Sequence, residues 1–139
     1  MQELASTRDM TDDELIEQFE NTTLHAECFH HADHVRAAFV YLSRCPVLEA
    51  LHKFSTALKR FAAAKGKPQL YHENITWAYI FLIRERMARS GCAQTWQEFR
   101  RNNPELLQWK DGILHSYYSP ETLKSDLARR IFVLPDKLA

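Results

Sequence analysis

The chain has 139 residues, 45% of them hydrophobic and 26% charged, which suits one globular domain. Eighteen basic and eighteen acidic residues cancel, which argues against a dedicated nucleic-acid or anionic-membrane binder. Three glycines and five prolines favour long helices over turn-rich β structure.

Residues 1–10 carry little apolar content and read as a flexible tail, followed by a single helical domain over 11–139. Thr11-Asp12-Asp13-Glu14 is a capping box: Thr11 as N-cap, Glu14 three residues on, acidic charge in the first turn. A short helix follows, with Leu15, Ile16 and Phe19 on one side. Its end falls near Asn21-Thr22-Thr23.

Leu24 to Arg44 holds the next helix. Val35, Ala38, Phe39 and Leu42 recur at helical spacing and define a core face. Carried backward at about 100° per residue, that face takes in His31, with His34 on its flank and His30 further round. Pro46 separates this helix from the next, in which Val47, Leu51, Phe54, Leu58 and Phe61 share a stripe. Gly66-Lys67-Pro68 ends that one.

Leu70 to Gly91 then supplies the element around which the rest is organised. From Ile75 to Ile83 every residue but Thr76 is apolar. A helix apolar all round is buried all round. The run falls short of the roughly 20 residues of a membrane span. It reads as the central helix of a bundle, with Gly91 as its stop.

Beyond Gly91 the pattern shortens. Thr95-Trp96-Gln97-Glu98 is a second capping box, and Asn102-Asn103-Pro104 breaks its helix. Pro104 to Trp109 reads as a further turn or two, and Ile113 to Tyr118 fits neither period. Ser119-Pro120 starts a last helix that runs to about Arg130. Ile131 to Pro135 reads as an extended apolar strap across the bundle. The fold expected is all-α: one bundle of about four main helices with short accessory helices and that strap.

Cys28, Cys45 and Cys92 are odd in number and lack CxxC spacing. Without an export-type start they read as free thiols in a reducing cytoplasm.

The chemistry-bearing residues are histidines. His30, His31 and His34 sit together, and His72 opens the central helix beside Glu73. One helix with short connections separates the two histidine-bearing helices, so these two run parallel and start at one end of the bundle. Spacings of i,i+3 and i,i+4 place two histidines on one helix face, and a third from a neighbour completes an open three-histidine site. His31, His34 and His72, with His30 in reserve, are therefore the metal-ligand candidates for zinc, iron or nickel. Glu73 is the candidate general base or fourth ligand. The 100° step between neighbours prevents His72 and Glu73 from both pointing inward on a regular helix. Cys28 is a minor ligand candidate. Arg86 falls on the buried side and needs a partner, with Glu85, Glu49 and Asp111 as candidates. His115, Tyr117 and Tyr118 are candidates to close the pocket.

HHADHVRAAFVYL, YHENITWAYIFLIRERMAR and YYSPETLKSDLARRIFVLPD together resemble a set of short bacterial helical proteins with no assigned activity. That resemblance covers Phe29 to Asp136. A bundle with a histidine triad also resembles, in architecture, the DinB-like metal-binding bundles. Those bundles carry a lone histidine and a distant HxxxH pair; here His30 and His34 supply the HxxxH pair and His72 the lone histidine, in reversed order, and the likeness brings no function with it. The reading is a small cytoplasmic metal-binding protein, a metal-dependent hydrolase or oxidase acting on a small molecule. The alternative is a non-catalytic ligand-binding or protein-interaction module whose histidines are structural.

Overall fold

The computed structural model describes residues 6–91 and 93–137. Among these residues there is no strand, and seven α-helices form an all-α bundle: α1 (Asp12–Glu20), α2 (His31–Arg44), α3 (Val47–Ala64), α4 (Glu73–Ser90), α5 (Trp96–Asn102), α6 (Pro120–Lys124) and α7 (Asp126–Arg130). Five of the seven span seven residues or more, against about four main helices expected. Among the described residues no helix is long and apolar enough to cross a membrane.

Local chemistry sets the boundaries. Both capping boxes form as read: the Thr11 hydroxyl accepts from Glu14 N, and Thr95 does the same for Glu98 N. Gly91 ends α4 with φ of 72°, a left-handed conformation that glycine adopts without a Cβ clash. The single helix expected from Ser119 to Arg130 is instead two. Ser125 adopts extended backbone, and its hydroxyl accepts from Ala128 N, so it ends one helix and caps the next.

The N-terminal residues differ from the expected tail. Residues 1–5 lie outside the described residues. Thr7–Asp9 forms a 3₁₀ turn with Thr7 buried. Arg36, buried on α2, explains this: its guanidinium donates to the Thr7 and Met10 carbonyls at 2.8 Å each and to Asp12 Oδ1. Thr7 also donates to Asp33 Oδ1 at 2.5 Å. A buried arginine with four hydrogen bonds is satisfied, and the start of the chain is what satisfies it.

Phe19 of α1 is fully buried and meets Phe29, Phe54 and Phe61 at ring distances of 5.0, 5.8 and 5.7 Å. Each such ring contributes about 1.5–3 kcal/mol by burial. Around this knot α2, α3 and α4 pack against one another, and α7 covers a further side of α4. In α4, Tyr79 and Ile83 are buried as expected, while Ile75 and Leu82 are only partly buried. Phe81 is 39% exposed, which corrects the expectation of burial all round. On the outer side of α4, Phe132 of the extended segment after α7 lies 5.7 Å from Trp77 and 6.0 Å from Phe81.

That segment is fixed by side chains from elsewhere. Fully buried Asn74 accepts from Val133 N at 2.7 Å, and the Tyr118 hydroxyl donates to Val133 O at 2.7 Å. Asp136 accepts from Ser119 N, Ser119 Oγ and Thr122 Oγ1 at the start of α6. These three donors hold its carboxyl well down, at a pKa of about 2.

Cys28 and Cys45 are free thiols; Cys92 lies outside the described residues.

Candidate functional site

The starts of α2 and α4 and the end of α3 line one cavity of about 660 Å³. This is what a parallel α2–α4 pair with antiparallel α3 between them requires. His31, His34 and His72 all contribute to its wall. Each is held differently.

His31 is the first residue of α2. Its Nε2–H donates to the Leu106 carbonyl at 2.9 Å, which leaves Nδ1 as an unprotonated acceptor. Its ring meets Tyr79 edge-on at 4.9 Å and lies 5.1 Å from Trp109. Burial lowers its pKa, partly offset by the Leu106 hydrogen bond.

One turn on, His34 stacks on Phe29 with ring centroids 4.2 Å apart. It is surrounded by protein and keeps partial accessibility, as a ring facing a cavity does. Burial, and next the neighbouring His31, lower its pKa from 6.5 to about 4, against Asp33 and a hydrogen bond to the Phe29 backbone that raise it. The ring is neutral at physiological pH.

His72 occupies the N-cap of α4, a position usually held by Ser, Thr, Asp or Asn. Its Nδ1 accepts from Ile75 N at 3.1 Å, and Nε2–H donates to the Leu123 carbonyl at 2.7 Å. Both nitrogens are in use, so one tautomer is fixed. Burial lowers its pKa, and nearby Arg129 acts in the same direction.

The fourth histidine candidate, His30, is exposed; it caps α2 through its backbone N–H, which donates to Asp33 Oδ2 at 2.8 Å. Glu73 does not line the cavity. It accepts from the Tyr71 hydroxyl at 2.5 Å, with Lys59 Nζ at 3.9 Å. The 100° step along α4 thus separates Glu73 from His72. Cys28 does not line the cavity either.

The wall is mostly apolar: Phe29, Val35, Phe54, Phe61, Ile75 and Ile83 form much of it. Sequence reasoning missed four of its polar residues. Tyr79 follows His72 by seven residues on one helix face, a spacing that was there to be read. Its hydroxyl has no hydrogen-bond partner among the described residues, and burial pushes its pKa up to about 12. Lys65, Lys67 and Arg129 stand on the rim, and nothing in their sequence setting distinguishes them from a solvated face. Trp109 and Leu70 also line the cavity while 58% and 66% exposed, so apolar side chains stand beside the cations at its mouth.

Other placements differ from expectation. Tyr118 is core, Tyr117 and His115 are exposed, and none of the three lines the cavity. Arg86 pairs with Asn103 Oδ1 at 2.9 Å and with Glu105, both from the end of α5 and the turn after it; Glu85, Glu49 and Asp111 are not its partners.

Among the described residues, no group of three or more His, Cys, Asp or Glu side chains has an arrangement that holds a metal ion. To serve as a ligand through Nδ1, His72 would have to release Ile75 N and with it the cap of α4.

No family model matches the chain, and no curated protein or solved structure matches it significantly. The functional reading therefore rests on the cavity.

Proposed function

We propose that this protein is a ligand-binding module whose cavity receives a small organic molecule with an apolar body. The observation that carries this is a cavity of about 660 Å³ with an apolar wall and a few convergent polar groups. That size and lining are typical of small-molecule sites. The neutral imidazoles of His31 and His34 and the unpartnered Tyr79 hydroxyl are the groups that orient the ligand. His72 is structural in this reading: it starts α4 and ties it to Leu123. The extended segment from Ile131 acts as a strap that keeps α4 in place, and the odd, free thiols favour a cytoplasmic setting.

The test uses N-phenyl-1-naphthylamine, a neutral apolar fluorophore. Saturable enhancement at one equivalent is expected, and it is lost in Leu58→Trp, which fills the cavity from partly buried Leu58, while circular dichroism is retained. No enhancement, or equal enhancement in the variant, would refute the reading.

A metal-dependent hydrolase or oxidase is the second reading, with zinc, iron or nickel on His31, His34 and His72, and on His30 and Glu73 only if both turn inward. What favours it is the free Nδ1 of His31 one turn from His34. Metal analysis of tag-free protein decides: a stoichiometric divalent ion lost in His34→Ala would support this reading over the first.

A further inference from the structure

We propose that the ligand of this cavity is an amphipathic organic anion, its acidic head held by Lys65, Lys67 and Arg129 and its apolar chain laid against Phe29, Phe54 and Phe61. This rests on the ligand-binding reading above. Three observations carry it.

The first is charge. Three of the residues that line the cavity are cationic, and among the described residues no Asp or Glu lines it. In a chain with equal numbers of acids and bases, that is a local excess. Low-dielectric walls focus such a field on the mouth.

The second is that these cations are not neutralised from within. Among the described residues, Lys65, Lys67 and Arg129 have no carboxylate within 4.0 Å. Lys65 Nζ donates instead to the Thr22 carbonyl at 3.1 Å, and Arg129 to the Gln69 carbonyl. These carbonyls, and for Lys65 the Phe61 ring 5.2 Å from Nζ, steady both side chains on the rim and leave N–H donors over, since ammonium has three and guanidinium five.

The third is the arrangement along the wall. Lys65 ends α3, Lys67 follows at Gly66-Lys67, and Arg129 is tied to Gln69 just before His72, so the cations cluster where α3 hands over to α4. Phe29, Phe54 and Phe61 belong to the aromatic knot with Phe19. An apolar chain with one charged end fits this polarity. Aromatic walls also attract organic cations, but three fixed positive charges at the mouth oppose one.

The experiment displaces N-phenyl-1-naphthylamine with four ligands of one chain length: decanoate, decyl phosphate, decanol and decyltrimethylammonium. Decanoate or decyl phosphate is expected to bind at least about tenfold tighter than decanol, a difference of about 1.4 kcal/mol; whichever of the two wins identifies the acid head. Lys65→Gln/Lys67→Gln/Arg129→Gln should erase that preference and leave decanol affinity within about twofold, which also shows that the variant folds. Should it not fold, salt replaces it: raising ionic strength weakens the anions in the unaltered protein and spares decanol. Decanol equal to both anions, or the ammonium ligand tightest, would overturn the anion inference and leave the cavity reading standing. Failure of all four chains and of the fluorophore would overturn both.

Discussion

Replacing His72 with alanine separates a structural histidine from a ligand. The imidazole supplies two bonds to the fold: it caps α4 at Ile75 N and donates to Leu123 O, which joins α4 to the end of α6. Loss of an N-cap acceptor costs about 1 kcal/mol, within a range of about 0.5–2. Loss of the Leu123 bond costs about 0.5–1.5 kcal/mol. The two act on different elements, so they add to about 1.5–2.5 kcal/mol, to which the lost packing of a half-buried ring contributes a little more. His72→Asn restores the capping acceptor but not the reach to Leu123, and should recover about 1 kcal/mol of the loss. Urea unfolding followed by circular dichroism measures all three proteins, with and without a chelator. The expected order is wild type, then His72→Asn, then His72→Ala, unchanged by chelation. A His72→Ala loss below about 0.5 kcal/mol would refute the capping role, and a loss that appears only without chelator would assign the residue to a metal.

Other outcomes follow from the same contacts. His31, His34 and His72 all have folded pKa values below the ordinary 6.5, so the unfolded chain binds more protons as the medium is acidified. Stability should be complete above about pH 6.5 and fall towards pH 4, with His34 alone responsible for on the order of 3 kcal/mol; urea midpoints across that range check it, and a flat profile would contradict it. Phe19→Ala, at the centre of the aromatic knot, should cost about 3–5 kcal/mol, whereas Leu82→Ala, only partly buried, should cost less than the 2–5 typical of a core leucine. Asn74→Ala leaves Val133 N without its acceptor and should cost about 1–3 kcal/mol, with increased protease sensitivity after Arg130 as the local readout. Cys28 and Cys45 should be alkylated in non-reduced protein, as mass spectrometry would show.

Much of the fold was legible because it is written in neighbouring residues. Capping boxes at Thr11 and Thr95, the stop at Gly91 and the proline start at Pro120 act over three or four positions. What failed to show needed knowledge of what lies opposite. Ser125 is one serine among helix formers, and only its hydroxyl bond to Ala128 N reveals the break. The tail looked empty because its partner, Arg36, sits on α2. Phe81 is apolar in a run of apolar residues, yet no element covers it fully.

The site divides in the same way. Grouping His31, His34 and His72 at one end followed from helix order and periodicity. Their chemistry did not, because a histidine at an N-cap and a histidine on a metal are the same letter. A cavity is also invisible in a sequence: it is space that Val35, Ala38, Leu58 and Ile75 do not fill, bordered by a tryptophan from an irregular stretch. Lys65, Lys67 and Arg129 become a cluster only when α7 folds back over the start of α4.

Imidazole NMR of protein labelled on its histidine rings tests the central claim most directly. Without ligand, His72 should show the tautomer protonated at Nε2. Adding decanoate should shift the His31 and His34 rings, which line the cavity, and leave His30 and His115, which are exposed and lie outside it, unmoved. Shifts confined to His30 and His115, or none at saturating ligand, would contradict the account.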